Sequence, residues 1–416
     1  MIRPDALTPL DDAVDMVIAA ATALRDSRPW PTRQLDLWEA SGYVLAEEVR
    51  ADRDQPPFPR AMMDGYALRA ADVGGPQASL QVVGEVAAGS ELGAALGAGE
   101  AVGIMTGAPV PAGADAVCPI ERTRHTGSGA VVVSGPLRVG ANIAPQGQEV
   151  REGEVVVEAG RVIESLTAGV LGSVGAHRVT VAVRPRVTVM TTGDELVPIE
   201  ETPGPAQIRD SNRRTLFAML EREWCRVVDG GIVTDDIQAI RMAVREGLDS
   251  DVLVLSGGVS AGVYDLVRPA LEEEGVEILF HKVRVKPGKP VLFGRHAGGL
   301  VFGLPGNPVS GFLCGLVLMA PALRILGHRP EHRSYYLRLP VAGGLPATDG
   351  RTTFYPASLE RGEGDELRVR LRPSHGSADQ VSVARADTFI RREPGEPAVG
   401  DGGVVRVLLP HSLASW

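Results

Sequence analysis

Val252-Leu253-Val254-Leu255 runs directly into Ser256-Gly257-Gly258-Val259-Ser260-Ala261-Gly262, with Asp265 just beyond. The aliphatic run reads as a strand, and the glycines as a tight turn that leads into a helix. Glycines at such a place let backbone N–H groups approach an oxyanion, and the helix that follows adds its positive end. An ordinary strand-to-helix turn has the same texture, so the rest of the chain has to discriminate between the two.

On both sides the pattern is regular. Strand Val187 to Met190 precedes a helix at about Asn212 to Glu223, strand Arg226 to Ile232, and a helix over Asp236 to Glu246. Beyond the quoted stretch come a helix over Tyr264 to Glu273 and one strand over Val276 to Val285. A hairpin-like pair at Val291 to Phe293 and Leu300 to Phe302 follows, then a helix from Val309 to Leu326. Strands alternating with helices of this length imply parallel strands joined by right-handed crossovers, and such sheets bind ligands beyond the carboxyl ends of their strands.

Toward the N-terminus, Thr8 is placed to cap a helix beginning at Pro9, in which Leu10, Val14, Val17, Ile18, Ala21 and Leu24 recur at helical spacing. From Val49 to about Val139 short valine-rich runs, among them Leu80 to Val83 and Ala116 to Ile120, are separated by Gly, Pro and Asp, which makes a β-rich module. Ile143 to Thr180, with a strand at Glu154 to Val157 and a short helix capped by Ser165, returns to the first module. After His328 the helices cease, and Tyr335 to Leu339, Glu366 to Leu371 and Gly403 to Leu409 read as strands. The fold class is therefore multidomain α/β plus β. A central doubly wound α/β domain spans 183–328 and a β-rich insertion module 51–139. A discontinuous N-terminal domain takes 1–50 and 140–182, and a small all-β C-terminal domain takes 329–416.

Composition narrows the function. A formal net charge of −10 argues against non-specific attraction to nucleic acid or an anionic membrane, so an anionic ligand has to meet a local basic site. Asp5, Asp11, Asp12 and Asp15 interrupt the first stretch, so no secretion signal is expected. The apolar run Phe312 to Ala320, bounded by Gly311 and Pro321, reads as a buried helix too short to cross a bilayer. Cys118, Cys225 and Cys314 have no metal spacing and fit a reducing, cytoplasmic compartment. His125, His177, His281 and His296 show no ligand spacing either.

A second loop, Leu304-Pro305-Gly306-Asn307-Pro308-Val309-Ser310, precedes the last central helix, with Asn307 as its expected cap and Pro308 at its first position. Between the two loops Lys286-Pro287-Gly288-Lys289-Pro290 puts two cations on a bend at a predicted strand end, where neutralising an oxyanion is the better use for them. The first central strand runs into Thr191-Thr192-Gly193-Asp194-Glu195, and the next helix opens with Asp210-Ser211-Asn212-Arg213. Asp194 reads as a helix cap. Asp210 fits a cap too, and Glu195 and Asp210 at the rim with Asp265 are also the hard oxygen ligands that Mg²⁺ takes beside substrate phosphates.

Taken in order, these motifs resemble the molybdopterin molybdenumtransferase family, which includes the C-terminal domain of gephyrin. The resemblance rests on Pro56-Pro57-Phe58 with Met63-Asp64-Gly65-Tyr66-Ala67, on Met105 to Pro111, Thr192 to Leu196 and Asp210 to Arg213. It rests equally on Ser256 to Ser260 with Asp265, Lys286 to Pro290, and Leu304 to Ser310, and covers nearly the whole chain.

The resemblance implies an elongated four-domain subunit whose discontinuous first domain takes part in dimerisation and whose α/β domain binds molybdopterin. The active site would lie between the central domain of one subunit and the β-rich domain of the other in a homodimer. Molybdate and adenylylated molybdopterin would be the substrates, Mg²⁺ would assist, AMP would leave, and other molybdenum cofactor biosynthesis proteins and molybdoenzyme acceptors would be partners. Lys286 and Lys289 would hold molybdate or phosphate. Glu195, Asp210 and Asp265 would bind Mg²⁺ or position the nucleotide.

Ser256, Gly257, Gly258, Ser260, Pro305, Gly306, Asn307, Pro308 and Ser310 would line the substrate site, and Asp64, Thr106 and Glu149 would be substrate contacts, the first two reaching in from the partner subunit. In the last domain, Gly350-Arg351 with Phe354 and Gly376-Ser377 would be further oxyanion positions. The chain departs from the family where Ala144-Pro145-Gln146-Gly147-Gln148-Glu149 lacks an arginine, where Val263 replaces an acidic residue, and where Pro356 stands for a basic one. A rival reading is therefore a degenerate paralogue that binds or delivers pterin or cofactor without turnover. A scaffold that organises other proteins ranks last.

Overall fold

Alternate residues of the strand Val252–Ser256 go to opposite cores. Val252 and Val254 pack with Val187, Phe293 and Phe302, whereas Leu253 and Leu255 pack with Met190, Ile240 and Val301. Side chains along a strand alternate between faces, so a strand apolar at every position needs a helical layer on each side. The computed structural model, which describes residues 7–29, 31–90, 93–126, 129–258, 266–330 and 333–409, supplies both layers. Helix Ser211–Arg222 and the helical stretch 308–326 cover one face, and helices Ile237–Gly247 and Val267–Glu273 the other.

The central sheet runs in the order Arg226–Val233, Arg186–Thr192, Val252–Ser256, Gly299–Leu304, Leu292–His296, Glu277–Phe280. Its first four strands are parallel, as the alternation predicts, and the expected hairpin adds an antiparallel edge. The chain crosses from Arg186–Thr192 to one side first and to the other side next. The carboxyl ends of Arg186–Thr192 and Val252–Ser256 therefore frame the switch point where such sheets bind ligands.

Several expectations are corrected. The single strand over Val276 to Val285 is two: Glu277–Phe280 ends the central sheet, while Val285–Lys286 pairs with Thr352–Arg361 of the C-terminal sheet. Thr8 explains part of the break. It is no cap but a buried bridge to this segment, its N–H on the Lys282 carbonyl at 2.9 Å and its carbonyl accepting Arg284 N–H at 2.7 Å. Pro9 occupies the cap position of helix Leu10–Asp26, which buries Leu10, Ala13, Val17 and Leu24 in the central core.

Ser165 likewise is the first residue of its helix, Ser165–Ser173, with Glu164 before it and no side-chain cap. Helices do not cease at His328, since Gln380–Ala384 forms a short one capped by Asp379, which accepts Ser382 N–H at 3.1 Å. Five residues are too few for a helical period to show in a sequence.

From Pro308 to Leu326 the chain is helical for 19 residues, long and apolar enough to cross a membrane, yet 89% of its most apolar 18-residue window is buried inside the protein. It is a core helix. Pro321 does not end it, because a π turn over Gly315–Met319 widens the helix just before Ala320–Leu326 and absorbs the missing N–H.

The β-rich module forms a six-stranded sheet in the order Ala116–Pro119, Gly65–Leu68, Glu100–Ile104, Gln77–Val86, Ala130–Ser134, Thr123–His125. Tyr66 and Leu68 fill one small core and Ala67 the opposite one. Thr32–Asp36 pairs with Arg178–Ala182, and Val49–Arg50 with Val155–Val157, around Tyr43, Leu45, Ile163 and Leu171. The C-terminal sheet is Val285–Lys286, Thr352–Arg361, Thr388–Arg392, Val404–Leu408, Tyr336–Pro340, with Leu367–Leu371 also paired to Thr352–Arg361.

Candidate functional site

At the switch point the two glycine turns touch. Gly257 and Gly258 have φ of +100° and +61°, and a Cβ on them would stand 2.5 Å from the Thr192 carbonyl oxygen and 2.8 Å from Thr192 Oγ1. Only glycine lets the 191–193 turn lie so close. Gly257 N–H donates to the Leu304 carbonyl at 3.2 Å, so that amide braces the two strands and is not a free oxyanion donor. A Cβ on Gly306 would be 3.5 Å from the Gly257 Cα. Asn212 joins all three segments, its Nδ2 donating to Ser256 Oγ at 3.1 Å and to the Gly306 carbonyl at 2.7 Å. The sequence offered Asn212 only as part of a motif. Its bridging role depends on a fold that brings residues 44 and 94 positions away to one side chain.

The lysine bend packs on the next helix. A Cβ on Gly288, whose φ is +111°, would be 2.4 Å from Cys314 Sγ, and Lys289 carbonyl accepts Val283 N–H at 3.0 Å. Lys286 and Lys289 both remain exposed. Asn307 sits at the cap position of helix Pro308–Cys314 without a side-chain bond, and Ser310 is buried in it. The first-turn N–H of Val309 is taken by the Ser377 carbonyl at 3.0 Å, which draws the C-terminal domain to this edge. Gln380 adds a second tie, donating to Ser211 Oγ at 2.8 Å. Arg351 comes to the same rim from strand pairing, because Lys286 stands opposite Thr353. Its guanidinium and Lys286 Nζ both meet Asp349, at 3.0 and 3.3 Å. Arg351 first and Lys286 second hold the Asp349 carboxyl below the usual carboxylate range.

The carboxylates are placed less uniformly. Asp210 is buried and caps helix Ser211–Arg222; it accepts Thr191 Oγ1 at 2.7 Å and Arg213 N–H at 3.1 Å and pairs with Arg213 Nε at 3.2 Å. Asp194 caps no helix of its own but accepts Asp235 N–H at 3.1 Å. Glu195 is exposed nearby, and burial, then Asp194 and Glu195, push the Asp235 carboxyl up. Ser260, Val263 and Asp265 lie outside the described residues. Among the described residues no three acidic, histidine or cysteine side chains assemble into a metal site.

Asp64, Thr106 and Glu149 stand apart. Asp64 Oδ1 accepts both the backbone N–H and the hydroxyl of Thr106 at 2.6 Å, and the hydroxyl, then the amide, hold its carboxyl below the usual range. Glu149 pairs with Arg60 at 3.0 Å. Among the described residues none of the three bonds to the glycine turns, the lysine bend or the Arg351 loop within the subunit.

Known proteins share this arrangement from end to end. Residues 8–175 match the MoeA N-terminal region (domain I and II), 188–325 the probable molybdopterin binding domain, and 338–409 the MoeA C-terminal region (domain IV). The chain is 32% identical to a molybdopterin molybdenumtransferase of Haemophilus influenzae over 93% of this chain and 96% of that one. The chain belongs to the molybdopterin molybdenumtransferase family. Members are transferases of molybdenum cofactor biosynthesis, and the chain is an enzyme of that kind. Molybdopterin molybdenumtransferase 1 of Mycobacterium tuberculosis is 34% identical over 94% of this chain and 96% of its own. A crystal structure of a molybdopterin biosynthesis MoeA protein from Pyrococcus horikoshii superposes with a TM-score of 0.77 at 29% identity, covering 97% of this chain and 99% of that one.

Proposed function

We propose that the rim formed by the two glycine turns, the lysine bend and the Arg351 loop takes molybdate and adenylylated molybdopterin, inserts the metal into the dithiolene, and releases AMP. The observation that supports it best is Asn212 tying Ser256 to Gly306 beside the Lys286 bend. Molybdate is a tetrahedral dianion, and a chain with a net charge of −10 offers it three cations here, Lys286, Lys289 and Arg351, beside the Ser377 loop.

The turns at Ser256, Gly257, Gly258 and Gly306, with Pro305, Asn307, Pro308 and Ser310, shape the wall against the substrate's phosphates, and Ser260 and Asp265 belong to the same proposal. Asp210 acts by holding Thr191 and Arg213 in place. Its oxygens carry three bonds and its side chain is fully buried, and no cluster of three acidic, histidine or cysteine side chains assembles among the described residues, so these do not fit a protein-built Mg²⁺ site and no step is assigned to the ion. The Mg²⁺ requirement stands in the form in which phosphates supply most ligands and Glu195 is the available carboxylate.

The test is incubation of the purified protein with both substrates and Mg²⁺. AMP release that stops with chelator is the expected result, and no AMP at all would remove the proposal. The buried Pro356, where the family resemblance implies a basic residue, motivates the second reading, a paralogue that binds pterin without turnover. Calorimetry showing pterin binding in the absence of AMP release would establish that one.

The active enzyme is further proposed to be a cytoplasmic homodimer, completed by Asp64 and Thr106 of the partner subunit, with Glu149 nearby, and serving other cofactor biosynthesis proteins and molybdoenzyme acceptors. Four units divided at residues 50, 139, 182 and 328 belong to the same proposal, supported by the separate small cores of the β-rich sheet, of the strands around Leu45 and of the C-terminal sheet, while helix Leu10–Asp26 packs into the central core. The dimer face is a groove of about 1060 Å³ between residues 161–167 and helix Ser211–Arg222, with Met219, Phe312 and Leu316 in its lining. Leu166 stands beside it 87% exposed, an uncommon position for leucine unless something covers it.

Leu166→Glu is expected to cost a hot-spot contact of about 2 kcal/mol, or roughly thirtyfold in dimer dissociation. Light scattering on a dilution series checks this, and an unchanged mass at every concentration would rule out this face.

A further inference from the structure

Lys286 Nζ and the Arg351 guanidinium converge on one atom, Oδ2 of Asp349. That carboxylate is fixed from behind. Its Oδ1 accepts Arg351 N–H at 3.1 Å, a turn that aspartate and asparagine make alike. Its backbone is held by Gly395 N–H on the Asp349 carbonyl and Thr348 N–H on that of Glu396, both at 3.0 Å. A rigid loop thus presents a full negative charge at the point between two cations where a tetrahedral anion would otherwise sit.

We propose that Asp349 is a built-in competitor for the oxyanion subsite, occupying Lys286 and Arg351 until a dianion displaces it. The inference rests on the proposed function in taking those two cations as the molybdate position. Side-chain exposures of 50% for Lys286, 44% for Asp349 and 34% for Arg351 make the pairing weak enough to exchange. A monoanion gains no more from the cations than Asp349 already does and meets its repulsion. A dianion that also engages Lys289 and the Ser377 loop gains more than the carboxylate and draws both cations away from it. Asp349 therefore discriminates against small anions of low charge while holding both cations turned toward each other. The sequence does not reveal this, because Asp349 reaches Lys286 only through the pairing of Val285 with Thr352.

Asp349→Asn tests the idea, since asparagine keeps an acceptor for Arg351 N–H and so keeps the turn. Calorimetry on the intact protein at low ionic strength is expected to show molybdate and sulfate bound about threefold more tightly by D349N than by wild type, with the gap closing at high salt. The molybdate KM for AMP release should fall by the same factor. Asp401→Asn is the control, because Asp401 accepts Gly343 N–H and pairs with Arg368 at 2.8 Å on the same domain but touches neither Lys286 nor Arg351; it should leave molybdate binding unchanged. Equal or weaker binding by D349N, or the same gain in D401N, overturns the competitor role. If neither wild type nor D349N releases AMP while D349N still binds molybdate more tightly, the proposed reaction falls and the competitor role stands.

Discussion

Loss of both lysines of the bend, in Lys286→Ala with Lys289→Ala, is expected to lower AMP release by about a hundredfold or more in kcat/KM, the scale at which a single preorganised charge-stabilising donor acts. The stability of the protein should change little. Both side chains are exposed, Lys286 holds only the half-exposed Asp349, and surface substitutions of this kind stay within about 0.5 kcal/mol. The bend itself is kept by Gly288 against Cys314 and by the Lys289 carbonyl on Val283 N–H, neither of which uses a lysine side chain. Activity and urea unfolding therefore separate the two effects. A double variant that unfolds like wild type and turns over within a factor of about three of it would show that the cations do no chemistry.

The parts of this site that could be read in advance are those where one residue type is forced. Gly257, Gly258 and Gly288 have positive φ and no room for a Cβ, so their glycines mark turns in any reading. Lys286 and Lys289 stand out because cations on a stiff bend at a strand end have few structural uses. What stayed hidden depends on pairing between distant segments. Asp349 meets Lys286 only because Val285 pairs with Thr352, a register that no local pattern encodes.

The same pairing breaks the stretch from Val276 to Val285, which reads as one strand, into two strands in different sheets. Thr8 shows the other limit. A threonine one residue before a helix-starting proline fits a cap, but tertiary bridging to Lys282 and Arg284 took it instead. Asp210 serves as the expected cap, and with three bonds to its oxygens and a fully buried side chain it presents no exposed face to a cation.

Arg324→Met is expected to destabilise the central domain by about 3–5 kcal/mol, the usual consequence of removing one partner from a buried ion pair. Arg324 donates through two nitrogens to the two carboxylate oxygens of Glu223, at 2.9 and 2.7 Å, and each side chain is only 5% exposed. Methionine fills much of the volume but leaves Glu223 buried without its hydrogen-bonded partner, with only the field of Arg329 to offset its charge. The position amplifies the effect. Glu223 ends helix Ser211–Arg222, whose first turn carries Asn212 and whose cap is Asp210, so the ion pair anchors the far end of the element that joins both glycine turns. Twelve residues at about 1.5 Å each separate the two ends by roughly 18 Å, and tilt at one end becomes displacement at the other.

The variant should therefore lower the urea midpoint of the central domain and raise the KM for adenylylated molybdopterin together. Adding Glu223→Leu should recover most of the stability, because a well-packed apolar pair of similar volume is often as stable as the ion pair it replaces. Were the double variant no more stable than Arg324→Met alone, the loss would have to come from packing around Arg324 and not from the stranded charge of Glu223.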